Sequence, residues 1–130
     1  MPSTVEFPFS DDEALPKIPI TLSYADFSIS AIALIDTGST VNLLPHEIGV
    51  QLGAIWEEQT VRLPLAGNLA RVEARGLFVR VQIGSLEPVR LAFAWAQISQ
   101  VPLILGQTNF FQEFDVCFQR SRRTIEITRF

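Results

Sequence analysis

Residues Ala33–Pro45 read Ala-Leu-Ile-Asp-Thr-Gly-Ser-Thr-Val-Asn-Leu-Leu-Pro, and a single carboxylate, Asp36, lies between the two apolar runs of this stretch. Thr37, Gly38 and Ser39 follow it directly, and residues of these types favour a tight, hydrogen-bonded turn. A carboxylate that leaves water needs donors around it, because desolvation of the charge is costly. The stretch therefore predicts either a turn in which Asp36 bonds its own backbone or a site built around that acid.

The residues around this turn carry a resemblance to a known family. Ile32–Ile35 before it and Val41–Leu44 after it predict two buried strands. In that setting Leu34–Ser39 resembles the active-site loop of the retropepsin-like aspartic proteases. A second landmark of that family, an apolar-apolar-glycine segment, is found downstream as Ile104-Leu105-Gly106. The resemblance runs from about Ile18 to the C-terminus, and it implies an all-β fold with a closed β-barrel, working as a twofold homodimer.

Periodicity along the rest of the chain supports an all-β class. Alternation of apolar and polar residues predicts short strands, and they cover Ile18–Leu22, Ile29–Ile35, Leu77–Ile83, Val89–Trp95, Asp115–Phe118 and Thr124–Thr128. One or two short helices are predicted, after Pro45 and over Asn109–Phe114. The length of 130 residues fits one domain, which we place at residues 18–130.

Residues 1–17 are predicted to form a leader. They contain three prolines and the acidic run Asp11-Asp12-Glu13, which disfavour a long helix or strand. Val5–Phe9 alternates and predicts a short edge strand, where proline is tolerated. In the resembling family an N-terminal strand helps to form the dimer interface, so we expect Val5–Phe9 to pair with Ile125–Phe130 across the twofold axis.

Composition restricts the partners and the compartment. The net charge is −4 and the one basic cluster, Arg120, Arg122 and Arg123, predicts a solvated hairpin tip, so nucleic acid is not an expected partner. Hydrophobic residues make up 48% of the chain, which predicts apolar surface reserved for a partner. No apolar run reaches the roughly 18 residues of a membrane span, and the N-terminus lacks the pattern of a signal peptide. A cytoplasmic location follows as the expectation.

Two residues with reactive side chains are interpreted as structural. Cys117, the only cysteine, lies between Val116 and Phe118 and predicts a buried strand thiol rather than a nucleophile. His46, the only histidine, lies at a predicted helix start with no second ligand near it, which indicates a surface residue.

The chemistry implied by the resemblance needs two carboxylates that share a water and a proton. Asp26 and Asp115 lack the Thr-Gly-Ser continuation, so the second carboxylate is expected from another copy of the chain. Asp36 of one subunit would act as general base and Asp36 of the other would polarise the scissile carbonyl, with no metal or cofactor.

By the same resemblance, the residues after Asp36 support it. Thr37 would brace the loop against the other subunit, and Gly38 would let backbone N–H groups approach the carboxylates. Ser39 is expected to donate a hydrogen bond to the outer carboxylate oxygen.

A hairpin follows the loop in the sequence. Val61, Leu63 and Leu65 alternate with Arg62 and Pro64, and Gly and Asn at the tip are able to take positive φ. An ordinary surface hairpin explains this pattern. Its place in the chain is that of the flap that closes over substrate in the resembling family, so Leu65, Ala66, Gly67 and Asn68 are candidate substrate-binding residues. Apolar residues there predict hydrophobic side chains on both sides of the cleaved peptide bond.

Three functions are consistent with these observations. The first is an aspartic endopeptidase that acts on a peptide or protein substrate. The second is a noncatalytic dimeric adaptor or peptide-binding module of the same fold, and the third is a small-ligand binding barrel. Turnover of a peptide library, compared with an Asp36→Asn control, separates the enzyme from the other two.

Overall fold

The computed structural model describes residues 3–9 and 15–130 of the chain. The acidic run Asp11-Asp12-Glu13 of the predicted leader lies outside the described residues. Ten strands and two short helices are described, and all the predicted strands and helices are among them. The strands are β1 (Ser3–Pro8), β2 (Lys17–Tyr24), β3 (Phe27–Ile35), β4 (Asn42–Leu44), β5 (Arg62–Leu63), β6 (Ala74–Gln82), β7 (Val89–Ala96), β8 (Ile104–Leu105), β9 (Phe114–Gln119) and β10 (Thr124–Arg129), and the helices are α1 (His46–Gln51) and α2 (Phe110–Glu113).

Six strands close into a barrel. Their order is β2-β3-β8-β4-β7-β6, and pairing of β2 with β6 through Thr21–Gln82, Leu22–Val81 and Ser23–Arg80 completes the ring. Short β5 adds to the outer end of β6. Closure leaves no free edge in the ring, so every barrel strand has hydrogen-bonding neighbours on both sides. The all-β, closed-barrel class predicted from the sequence is confirmed.

The barrel interior explains the period of two in the sequence. Alternate residues of β2, β6 and β7 point inward and are almost fully buried, among them Ile18, Leu22, Val79, Leu91 and Phe93. Their neighbours along each strand point outward. The largest of the fully buried side chains is Trp95, whose indole Nε1 donates to the carbonyl oxygen of His46 at 3.0 Å. This bond joins α1 to the end of β7.

The chain termini form a second sheet of three strands, in the order β1-β10-β9. β1 pairs with β10 of the same chain along its whole length, from Ser3 opposite Arg129 to Pro8 opposite Thr124. The strand predicted at Val5–Phe9 exists as β1 and pairs with β10 within the described chain, and pairing across a twofold axis stays a prediction. Val5 and Phe7 of β1 pack against the core.

Two sequence interpretations are wrong. Cys117 is exposed, because β9 is an edge strand and Cys117 points to the outer face of the terminal sheet, in the row of Glu6 and Glu126. His46 is not a surface residue. Its ring is half-buried, stacked on Trp95 at 5.4 Å between centroids and in edge contact with Trp56 at 5.6 Å. The arginine tip, in contrast, is solvated as predicted: Arg120, Arg122 and Arg123 are exposed.

Within the described ranges, no helix is long and apolar enough to cross a membrane. The longer of the two α-helices, α1, has six residues.

Gly49 allows α1 to lie directly on Trp95. A Cβ at position 49 would overlap the indole ring, which is fully buried and has no room to shift. We predict that Gly49→Ala lowers the free energy of unfolding by about 2 kcal/mol, because overpacking outweighs the gain of about 1 kcal/mol in helix propensity. Urea unfolding measures the change.

Gly76→Ala is the matched control, since a Cβ there meets Val61 at an ordinary 3.7 Å. Its effect should stay within about 0.5 kcal/mol. Equal effects of the two substitutions would show that the contact of Gly49 with Trp95 is not the constraint.

Candidate active site

The loop after β3 holds Asp36 in a hydrogen-bonded turn. The backbone N–H of Gly38 donates to Asp36 Oδ1 at 2.9 Å, and the N–H of Ser39 donates to the Asp36 carbonyl oxygen at 3.2 Å. Asp36 is half-buried, whereas Thr37 and Gly38 are exposed. A bare glycine at position 38 suits this turn, because a Cβ would lie 3.2 Å from the carboxylate oxygen. The carboxylate is therefore oriented by its own loop and keeps one oxygen free of the bonds described here.

Ser39 differs from the sequence expectation. Its hydroxyl donates to the carbonyl oxygen of Val41 at 2.7 Å and not to the Asp36 carboxylate. After the turn the backbone runs toward the start of β4, so the Ser39 side chain faces the backbone of Val41, two residues ahead. Ser39 thus stabilises the loop conformation, as Ser and Thr side chains commonly do in turns.

The second landmark, Ile104–Gly106, lies directly beside the Asp36 loop. β8 runs parallel to β3 and pairs with β4 on its other side, so it is inserted between the two strands that flank the loop. The N–H of Asp36 donates to the Leu105 carbonyl oxygen at 3.0 Å. A Cβ on Gly106 would overlap the carbonyl oxygens of Ser39 and Val41, so only glycine fits. The two segments that suggested the resemblance are in contact.

Gln107 adds two further bonds to the loop. Its backbone N–H donates to the Ser39 carbonyl oxygen at 2.9 Å, and its side-chain amide donates to the Thr37 carbonyl oxygen at 2.9 Å. The turn that carries Asp36 is therefore held from the outside by a residue about 70 positions later in the chain. The local sequence around Gln107 does not indicate this role, because its partner Thr37 lies 70 positions away.

A buried amide, Asn42, links the strands beneath the loop. It is fully buried and is the one polar residue in the buried set of the described chain. Its Oδ1 accepts from the Gly106 N–H at 2.8 Å, and its Nδ2 donates to the Ala92 carbonyl oxygen at 3.0 Å. Asn109 completes the network, because its Oδ1 accepts from the Ala92 N–H at 3.0 Å and from Asn42 Nδ2 at 3.4 Å.

The sequence itself indicates that the Asn42 side chain is hydrogen-bonded in the interior. An amide within the apolar run Val41–Leu44 has to find partners if that run is buried.

A cleft of about 460 Å³ opens next to Asp36. The segment between β5 and β6 forms one wall through Pro64, Leu65, Ala66, Gly67 and Leu69, and the other side is lined by Gly38–Val41, Leu43 and Ile104. Three of the four predicted substrate-binding residues, Leu65, Ala66 and Gly67, line this cleft, and Asn68 does not. The segment is not a tight hairpin tip, because residues 67–69 form a 3-10 turn in which Gly67 has φ +64°.

The lining of the cleft is mostly apolar, with Ser39, Thr40 and Asp36 as its polar side chains. Asp36 is the only charged residue in its lining. Below it lies a small apolar cluster of Leu43, Ala74, Ala94 and Ala96, separate from the main barrel core. The other candidate acids lie elsewhere, Asp26 in the β2–β3 turn and Asp115 on exposed β9. One described chain therefore supplies one carboxylate to this cleft.

Comparison with known proteins supports the fold. A retropepsin-like aspartic protease from Rickettsia conorii has a similar structure, with a TM-score of 0.69 over 99% of this chain and 92% of the other, at 14% sequence identity. No protein-family model and no curated protein sequence matches the chain. The chain therefore has the fold of the retropepsin-like aspartic proteases, and at this identity the likeness concerns the fold alone.

Removing the Asn42 amide should destabilise the protein. Asn42→Ala leaves the buried Gly106 N–H and Ala92 carbonyl without their partner and opens a small cavity, so we predict a loss of about 3 kcal/mol in the free energy of unfolding. Asn68→Ala, on the exposed 3-10 turn, is the matched control and should change it by less than about 0.5 kcal/mol. A loss below about 1 kcal/mol for Asn42→Ala would contradict the role given to the network.

Proposed function

We propose that a twofold dimer of this chain is an aspartic endopeptidase that hydrolyses peptide bonds between two Asp36 carboxylates. One observation carries the proposal: a single carboxylate, oriented by its own turn, lies at an apolar cleft in a retropepsin-like fold. Half of a two-carboxylate site is what such chemistry requires of each chain.

The reaction starts from a pair of carboxylates that hold one proton. The ionised Asp36 takes a proton from water as the water oxygen attacks the scissile carbonyl carbon, and the protonated Asp36 of the other subunit gives its proton to the carbonyl oxygen. The tetrahedral intermediate then collapses. A proton passes from one Asp36 to the amide nitrogen, the C–N bond breaks, and a hydroxyl of the intermediate returns its proton to the other Asp36 as the carbonyl re-forms, so an acid and an amine leave. The pair ends with the single proton with which it began.

The surroundings of Asp36 support a second subunit. Thr37 is exposed at the turn, and its hydroxyl has no hydrogen-bond partner within residues 3–9 and 15–130. It is therefore available to brace the equivalent loop of a partner chain. We therefore place the dimer contact at the Asp36 loops, and the outer edge of β1, which has no strand partner within the described residues, can extend it.

The cleft walls indicate the substrate class. Leu43, Leu65, Leu69 and Ile104 are apolar and no basic residue lines the cleft. We therefore propose peptides with hydrophobic side chains around the cleaved bond, since charged side chains would lose hydration without gaining a partner.

Asp36→Asn should abolish peptide hydrolysis and leave the fold intact. Asn still accepts the bond from the Gly38 N–H but cannot take a proton from water. Asp26→Asn, an exposed acid in the β2–β3 turn, is the control and should retain wild-type turnover. Turnover of a hydrophobic peptide library is the measurement, and binding without turnover in the wild type would identify a peptide-binding module instead.

Mixing the two proteins tests the shared site. If each active site needs both Asp36 residues, equal amounts of wild type and Asp36→Asn, allowed to exchange subunits, should retain about one quarter of the activity of the same total amount of wild type. A site complete within one chain would retain about half. Sedimentation run in parallel shows whether the chains are dimeric at the assay concentration.

The pH dependence should be bell-shaped, because two carboxylates that share one proton are active only while the pair holds that proton. Ser39→Ala should leave both limbs of the profile in place, because the Ser39 hydroxyl bonds Val41 and not the carboxylate. It should lower the free energy of unfolding by about 1 kcal/mol through loss of that bond. If Ser39→Ala instead shifted the acidic limb of the pH profile and left the free energy of unfolding unchanged, the Ser39 hydroxyl would bond the Asp36 carboxylate, as predicted from the sequence.

A further inference from the structure

A second cleft, of about 570 Å³, lies on the outer face of the barrel far from Asp36. It is lined by Ser23, Tyr24, Ala25, Phe78, Arg80 and Arg90. Ala74, at one end of β6, packs in the cluster with Leu43 beside the Asp36 cleft. Arg80 lies six residues further along β6, which corresponds to about 20 Å of extended strand. No residue lines both clefts.

Two arginines stand directly opposite each other in this cleft. Arg80 of β6 and Arg90 of β7 are cross-strand partners in the antiparallel ladder, and both point outward. Like charges at such positions destabilise a strand pair, because their side chains begin within about 5 Å of each other. The sheet therefore contains an electrostatic cost that a bound anion would remove.

No acid in the described chain neutralises this pair. Other arginines are paired: Arg75 and Arg62 with Glu73, Arg122 with Glu6, and Arg129 with Glu113. Within residues 3–9 and 15–130, Arg80 and Arg90 make no ion pair and no side-chain hydrogen bond, although Asp26 and Glu87 lie in turns next to the strands that carry the cleft. The chain has a net charge of −4, yet Arg80 and Arg90 form a local positive charge that no acid of the described residues balances.

The cleft also offers hydroxyl groups and an ordered arginine. Ser23 is the cross-strand partner of Arg80 on β2, so hydroxyl, guanidinium and guanidinium lie in one row across three strands. Tyr24 also lines the cleft and packs in part against the barrel core. The guanidinium of Arg90 lies over the Phe78 ring, 4.2 Å from its centroid, which restricts the conformations of its side chain.

We propose that this cleft binds a phosphate group. Guanidinium pairs match the geometry of phosphate oxygens, each arginine offers two parallel N–H donors, and a dianion balances the two positive charges. The Ser23 hydroxyl donates to Ser28 Oγ at 3.2 Å, so the two guanidinium groups supply the charged donors of the site. Phe78 is 54% exposed and gives apolar surface beside the phosphate position, so the ligand is a phosphate monoester with a ring or apolar group attached, or inorganic phosphate itself.

Calorimetric titration with inorganic phosphate and with phenyl phosphate, at constant ionic strength set with NaCl, tests the proposal. We expect saturable binding of one phosphate per chain. Arg80→Gln and Arg90→Gln should each weaken it by about tenfold or more, because each removes a charge-assisted pair. Arg80→Lys keeps the charge but loses the planar fork, and should fall between wild type and Arg80→Gln.

Arg71→Gln is the matched control. Arg71 is exposed, has no described ion pair and does not line this cleft, so the same loss of charge there should change the affinity by less than about twofold. Tighter binding of phenyl phosphate than of inorganic phosphate identifies a monoester as the ligand, and equal binding identifies free phosphate.

Thermal unfolding gives an independent test, because the wild type should gain melting temperature relative to Arg90→Gln when phosphate is added. Without phosphate, Arg90→Gln should melt at or above the wild-type temperature, because the repulsion is gone. Millimolar phosphate should then raise the melting temperature of wild type but not of Arg90→Gln. Phosphate stabilises many proteins weakly by exclusion from their surfaces. Equal stabilisation of all variants, or absence of saturable binding, would overturn the proposal.

Discussion

The buried amide of Asn42 is the interaction on which the geometry of the site depends. Insertion of β8 between β3 and β4 buries the Gly106 N–H, and the half-buried Ala92 on β7 presents its carbonyl oxygen to the same amide. An amide carries both a donor and an acceptor, so one side chain satisfies both groups. An apolar residue of the same size would leave two buried backbone groups unpaired. The Asp36 loop lies next to β8, and Asn42 helps to fix the position of β8 through its bond to Gly106.

The strands of the barrel were predictable because each has one face in the core. Buried residues alternate with more exposed ones from Leu77 to Val81 in β6 and from Val89 to Phe93 in β7, and the sequence shows the same period, whereas Phe93–Ala96 is buried on both faces. The Asp36 turn was predictable for a related reason. Its bond from the Gly38 N–H spans two residues, so the local sequence carries the information needed to form it.

Contacts between distant residues were not predictable from a single sequence. Asn42 meets Ala92 and Gly106 at separations of 50 and 64 residues, and His46 meets Trp95 at a separation of 49. Cys117 has apolar neighbours in sequence, but its exposure depends on β9 being an edge strand, which pairing alone decides. Ser39 is a different case, because its bond to the Val41 carbonyl oxygen spans only two residues and the path of the loop selects that acceptor.

The division of roles between one chain and two follows from the same geometry. Each chain holds its Asp36 loop through bonds from Leu105, Gln107 and Gly38, so the loop needs no partner to keep its shape. Asp36 is also the only charged residue that lines the cleft of a single chain. Under the proposed mechanism, the conflict between two carboxylates arises only when two loops meet. In the dimer the two carboxylates would share the proton on which hydrolysis depends. An isolated chain would be inactive, because it holds only one of the two carboxylates.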